Sequence, residues 1–288
     1  MIDLDTFLSQ LVVGLFRGSL YWILAAGLTL IFGVTRILNF AHAAILVTGS
    51  YITYTIYVST GSYVLAFLGA IIACGLLGAV TEVLLIRRVY GLDPLYQLLL
   101  TFGVTLVVNE AQKLVWGKGS VYVPTPEMLR GGVAVGAVTV SYYTVFVVIV
   151  GFLLLLALHY FINMTMMGLR LRAVWRDPVM SEVLGLNPKN YYTLVFFLGS
   201  AIAGLGGALL IPAITVGPGL GDHLIVLAFI VVVLAGLGNI VGSYITALAI
   251  GVTWSLLTLV TPELDIVILY LISALILMVR PQGLFGER

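Results

Sequence analysis

Residues 224–262 read LIVLAFIVVVLAGLGNIVGSYITALAIGVTWSLLTLVTP, 39 residues without one charged side chain. As a single helix the run would be about 58 Å long, roughly twice the ~30 Å hydrocarbon core of a bilayer. It must therefore turn, and the glycine-rich GLGNIVG, Gly236 to Gly242, is its only good breaking point. Two apolar helices joined at a glycine break predict a membrane protein rather than a soluble core.

Composition agrees. The chain has 288 residues, 61% hydrophobic and 9% charged, with a mean hydropathy of +1.18. Soluble domains are about 45–50% apolar and about 25% charged. The net charge of +1 leaves no basic field for nucleic acid. Cys74 is the only cysteine, so an intramolecular disulfide and cysteine metal ligation are excluded. The start, MIDLDTFLSQ, is acidic, whereas a secretory signal begins basic. We expect the first membrane segment to do the targeting.

A spanning helix needs about 20 mainly apolar residues. Nine stretches qualify approximately: 10–33, 43–60, 62–86, 95–115, 141–162, 191–213, 223–239, 243–260 and 264–280. Arg17 inside the first makes it the weakest. The expected fold is all-α and polytopic, with about eight to ten crossings, some broken or re-entrant, in one domain covering 1–288. Arg87 and Arg88, then Arg170, Arg172, Arg176 and Lys189, then Arg280 and Arg288 all fall on one side of this layout. By the positive-inside rule that side is the cytoplasm. The N-terminus and the loop at about 116–140 then lie outside.

The loop at about 163–190 contains RAVWRDPVMSEVLGLNP, Arg172 to Pro188. Asp177 is a good N-cap, Pro178 fits a first helical turn, and Gly185 is a good stop. The enclosed helix, about 178–184, is too short to span a bilayer or to stand alone in water, so something packs against it. It either lies on lipid headgroups beside its arginines or docks into a groove on a cytoplasmic partner. The chain lacks the G-x-x-x-x-G-K-[ST] loop and cannot bind ATP through one.

Other polar groups are sparse. Asn39 and His42, with Arg36, lie where one apolar run ends and another begins. Asn39 is a fair N-cap, and such a break also suits a solute path, where free N–H groups can meet a carboxylate. Gly27, Gly33 and Gly49 would let helices approach closely. Glu82 reads as a boundary charge that snorkels toward water. Asn109, Glu110, Gln112 and Lys113 read as an interfacial cluster, and Asp222 as a cap or a contact for an external protein. No catalytic constellation is visible.

Four stretches carry a resemblance: GLTLIFGVTRILNFAHAAILVTGSY (27–51), GLRLRAVWRDPVMSEVLGLNPKNYYTLVFFLGSAIAGLGGALL (168–210), FIVVVLAGLGNIVGSYITALAIG (229–251) and VRPQGLFG (279–286). In this order the chain resembles branched-chain amino acid ABC transporter permeases. It departs at Ala43, where that family usually has glycine. The resemblance implies a non-enzymatic inner-membrane permease subunit that imports small polar solutes, branched-chain amino acids foremost. It implies a second homologous permease, two ATP-binding subunits carrying ATP and magnesium, and a periplasmic solute-binding protein. Arg176, Asp177, Pro178, Glu182, Leu184 and Gly185 would form the coupling unit for those ATP-binding subunits. Asn39, His42, Gly33 and Gly49 would border the solute path. Urea, short amides and aromatic carboxylates remain alternative solutes, and a gradient-driven channel is the rival class.

Overall fold

A computed structural model describes residues 4–135, 138–260 and 262–286. Its helices are α1 (Leu4–Thr35), α2 (His42–Thr60), α3 (Tyr63–Leu84), α4 (Pro94–Trp116), α5 (Tyr142–Met164), α6 (Met166–Arg176), α7 (Pro178–Val183), α8 (Pro188–Leu210), α9 (Leu220–Ala235), α10 (Ile240–Val260) and α11 (Asp265–Val279). The only sheet among the described residues is an antiparallel hairpin between α4 and α5, β1 (Gly132–Val135) with β2 (Val138–Ser141). Each of the nine apolar stretches is a helix. Six of them, α1, α3, α4, α5, α8 and α10, are long and apolar enough to cross a membrane; α9 and α11 are shorter apolar helices. Arg288 lies outside the described residues.

α8 is the hub, because its small residues meet three helices on different sides. At Gly199 a methyl group would strike the Ile31 side chain of α1 at 2.6 Å. At Gly204 it would strike Cys74 of α3 at 2.8 Å, and at Gly207 the Leu46 carbonyl oxygen of α2. The close approach puts Ser50 in reach of α8, where its hydroxyl donates to the Gly207 carbonyl at 2.8 Å. A second seam joins α1 to α10. Gly14 and Gly18 lie one turn apart on α1 and leave room for Val252 and Leu248. In lipid there is little hydrophobic drive between helices, so this backbone proximity and its hydrogen bonds hold the bundle.

Several expectations are corrected. Arg17 is accommodated because its guanidinium lies 5.7 Å from the centre of the Trp254 ring. The loop at about 163–190 holds an additional amphipathic helix, α6, capped by Thr165, whose hydroxyl accepts from Gly168 N–H at 3.0 Å. Glu82 does not snorkel: it is fully buried. The break at GLGNIVG is confined to residues 236–239. There Gly236 and Gly238 adopt φ of +94° and +87°, which only glycine takes without strain. The C-terminal PQGLFG closes this break. Leu284 and Phe285 N–H donate to the Leu234 and Ala235 carbonyls at 2.7 and 3.2 Å, and Asn239 Nδ2 donates to the Phe285 carbonyl at 2.9 Å.

Gly207→Ala is expected to destabilise the purified protein by about 1–3 kcal/mol through overpacking, seen as a lower melting temperature. Gly103 faces open space. Gly103→Ala should leave the melting temperature unchanged or slightly raised.

Candidate functional site

Two helices begin inside the apolar layer and meet there. α1 ends at Thr35 and is followed by Arg36, whose backbone φ is +57°. The chain then runs back along α1, so that the His42 imidazole packs on Gly27, where a methyl group would meet Nε2 at 2.8 Å. Gly27 lies eight residues before the end of α1, about 12 Å along the axis. α2 therefore starts well inside the layer. Asn39 is not its N-cap: that position is Ala41, and Asn39 Oδ1 instead accepts from Ala41 N–H at 3.1 Å in a local turn. α9 has 16 residues, about 24 Å, less than the ~30 Å core. Its second residue, Gly221, packs on the Ala43–Ala44 peptide, where a methyl group would meet it at 3.2 Å.

α4 supplies polar groups to this junction. Thr101, Thr105, Asn109 and Gln112 share one buried face at spacings of four, four and three residues. The Thr101 hydroxyl donates to the Leu38 carbonyl at 3.3 Å, satisfying part of the re-entrant backbone. Gln112 Nε2 donates to the Ala44 carbonyl and to Thr48 Oγ1, both at 2.9 Å. Asn109 Nδ2 donates to Asp222 Oδ1 at 3.0 Å. Asp222 thus bridges to α4 and does not cap α9, whose N-cap is Gly219. The expected cluster at 109–113 divides: Glu110 and Lys113 pair with each other at 2.6 Å on the outward face. At the junction both nitrogens of His42, Asn39 Nδ2, Asn109 Oδ1 and Gln112 Oε1 are buried without a partner. Burying such groups without a partner costs about 1–3 kcal/mol each.

Gly33 and Gly49 have different surroundings. Gly49 sits in the seam of α2, α3 and α8, against Gly204 and Cys74. Gly33 lines a cavity of about 800 Å³ at the end of α1, together with Arg36, Asn163, Arg172, Asn239 and Gln282. Among the described residues no carboxylate lines that cavity.

The opposite pole of the site is the loop carrying α6 and α7. Arg172 donates to the Ile162 carbonyl and to Asn163 Oδ1, which fastens α6 to the end of α5. The Arg36 guanidinium lies 5.9 Å from the centre of the Trp175 ring, tying α6 to α1. Asp177 caps α7, its Oδ1 accepting from Met180 N–H at 2.9 Å, and Pro178 opens the first turn. Gly185 ends the unit at φ +84°. Ser181 is turned inward at 3% exposure, whereas Val179, Val183 and Leu184 stand 74–77% exposed. Arg176 and Glu182 are exposed and make no ion pair among the described residues.

Glu82 locks α3 to the start of α8. Arg87 donates to both carboxylate oxygens, from Nε at 3.1 Å and from a terminal nitrogen at 2.9 Å. The Thr193 hydroxyl donates to Oε2 at 2.7 Å and Tyr90 to Oε1 at 3.2 Å. Burial and the Glu82 charge push the Tyr90 phenol far above its ordinary pKa, keeping it a donor. Sequence reasoning missed this cluster because Glu82 and Thr193 are 111 residues apart. The α4 stripe was missed too, although the four, four and three spacing of Thr101, Thr105, Asn109 and Gln112 is a signal that could have found it.

The sequence profile described as branched-chain amino acid transport system / permease component matches residues 10–279. The high-affinity branched-chain amino acid transport system permease protein BraD of Pseudomonas aeruginosa is 29% identical, over 100% of this chain and 98% of its own length. The LivH permease protein of the corresponding Escherichia coli system is 30% identical over 98% and 96%. A probable LivH of Methanocaldococcus jannaschii is 28% identical over 83% and 78%. No solved structure matches the chain. With the profile covering almost the whole bundle, from α1 to the end of α11, the chain belongs to the permease-component family of branched-chain amino acid transport systems.

Proposed function

We propose that this chain is the membrane-spanning subunit of an ATP-driven importer that carries branched-chain amino acids inward across a bacterial inner membrane. α7 carries the reading. A capped helix of six residues presents three large apolar side chains to solvent beside an inward-turned serine, which is the form of a helix that docks into a groove. Its partners are two ATP-binding subunits, which hold ATP and magnesium. A second homologous permease and a periplasmic solute-binding protein complete the assembly. α1 to α5 and α8 to α11 make nine crossings, with α6 and α7 in the cytoplasm and lipid around the apolar faces of α3 and α11. The whole chain is one permease domain. The solute passes the junction of α2 and α9, where Asn39 and His42 face the path, and leaves through the cavity lined by Gly33 and Arg36.

In the assembled transporter, Leu184→Asp or Val183→Asp is expected to abolish stimulation of ATP hydrolysis by loaded binding protein while insertion stays normal. Wild-type stimulation in both would refute the coupling role. Sidedness has its own test in a Cys74→Ala background. Leu92→Cys, Val183→Cys and Gln282→Cys should be shielded in intact cells from an impermeant thiol reagent, and Met128→Cys should react. Val183 is the probe of α7 because it is exposed, whereas the nearby Ser181 is buried. Asn39→Ala should cost about 1 kcal/mol through the lost hydrogen bond from Ala41 N–H and lower uptake per assembled complex well beyond any fall in abundance. Unchanged normalised uptake would leave Asn39 a structural role only.

A further inference from the structure

α4 presents two acceptor oxygens without a matching donor at the junction, beside the Asp222 carboxylate of α9. Asn109 and Gln112 are 6% and 1% exposed. The orientation of each amide is set by its neighbours. Asn109 Nδ2 donates to a carboxylate oxygen of Asp222, and Gln112 Nε2 donates to a backbone carbonyl and a hydroxyl. The remaining oxygens, Asn109 Oδ1 and Gln112 Oε1, project from residues one turn apart on α4, and neither receives a hydrogen bond.

Asp222 stands beside them with an exposed side chain. No basic group lies in ion-pair range of it among the described residues. Contacts close the ring: Gln112 bonds Ala44, Gly221 packs on the Ala43–Ala44 peptide, and Asp222 follows Gly221 and bonds Asn109. Two unmatched acceptors and one unpaired carboxylate surround the first turn of α2. A primary ammonium supplies what they lack, three N–H donors and one positive charge. The start of α2, with its free N–H groups and positive dipole end, suits a carboxylate instead.

We propose that Asn109, Gln112 and Asp222 form the subsite that takes the ammonium group of an α-amino acid as it passes the first turns of α2 and α9. Asp222 supplies the charge, and the two amide oxygens orient the N–H bonds. This assignment rests on the importer reading above and names the chemistry of one part of its path.

The test uses the complete transporter in proteoliposomes, with leucine-loaded binding protein outside. Asp222→Asn keeps the size of the side chain and an oxygen for Asn109, but removes the charge. Leucine uptake should fall about tenfold, the equivalent of ~1.4 kcal/mol, while stimulated ATP hydrolysis and melting temperature stay at wild-type values. Asp222→Glu should recover most of the uptake. The double variant Asn109→Asp with Asp222→Asn moves the carboxylate across the same hydrogen bond and should recover uptake as well. Wild-type uptake in Asp222→Asn would overturn the subsite. So would parallel loss of uptake and of ATPase stimulation, which would make Asp222 a contact for the binding protein. Absence of ATP-dependent leucine uptake in the unaltered complex would remove the importer reading itself, and the subsite with it.

Discussion

The structure depends on the backbone of α8 lying close to three neighbours at once. Leucine against lipid is as favourable as leucine against leucine, so apolar area alone cannot hold helices together in a membrane. Gly199, Gly204 and Gly207 remove the side chains that would keep α1, α3 and α2 away. What replaces area is dispersion between nearby backbones and the hydrogen bonds that proximity allows, such as Ser50 to the Gly207 carbonyl. The Tyr63 and Tyr143 hydroxyls add two more, to the Ala208 and Leu209 carbonyls at the far end of the same helix.

Once the hub is set, the interruptions of helix need partners, because unpaired backbone groups are not tolerated in hydrocarbon. The break at 236–239 is closed from within the chain by the C-terminal segment and Asn239. The re-entrant stretch before α2 is closed by Asn39, by Thr101 and by the packing of His42 on Gly27. These two breaks differ in one respect. Among the described residues the first leaves no buried side-chain polar atom orphaned, whereas the second is surrounded by unmatched amide and imidazole atoms.

The end of the bundle beside α7 is fastened differently, by charge. Glu82, Arg87, Thr193 and Tyr90 form a closed network between the end of α3 and the start of α8, and α7 precedes α8 by four residues. The network therefore holds the start of α8, just after α7, against the end of α3. The glycine seam continues that rigid pairing through the layer, since a side chain at Gly78 would collide with Ser200. Removing Glu82 would leave Arg87 facing a half-buried site without its partner, a costlier change than the loss of an exposed ion pair.

Much of this was legible in the residues themselves. Hydropathy located all nine apolar helices, and Asp177, Pro178 and Gly185 marked α7, because spanning length and capping are local properties. Local reading also missed α6, whose mean apolarity is low and whose burial rests on Leu171 and Val174 alone. It misjudged the burial of Glu82 and took Asp222 for a cap for a shared reason. Each has a partner more than 100 residues away, Thr193 and Asn109. The sequence by itself determined where helices start, stop and carry charge. Only the tertiary structure decided which glycines are seams, which polar atoms remain unmatched and how deep α2 begins, because those follow from distances between segments that no local pattern encodes.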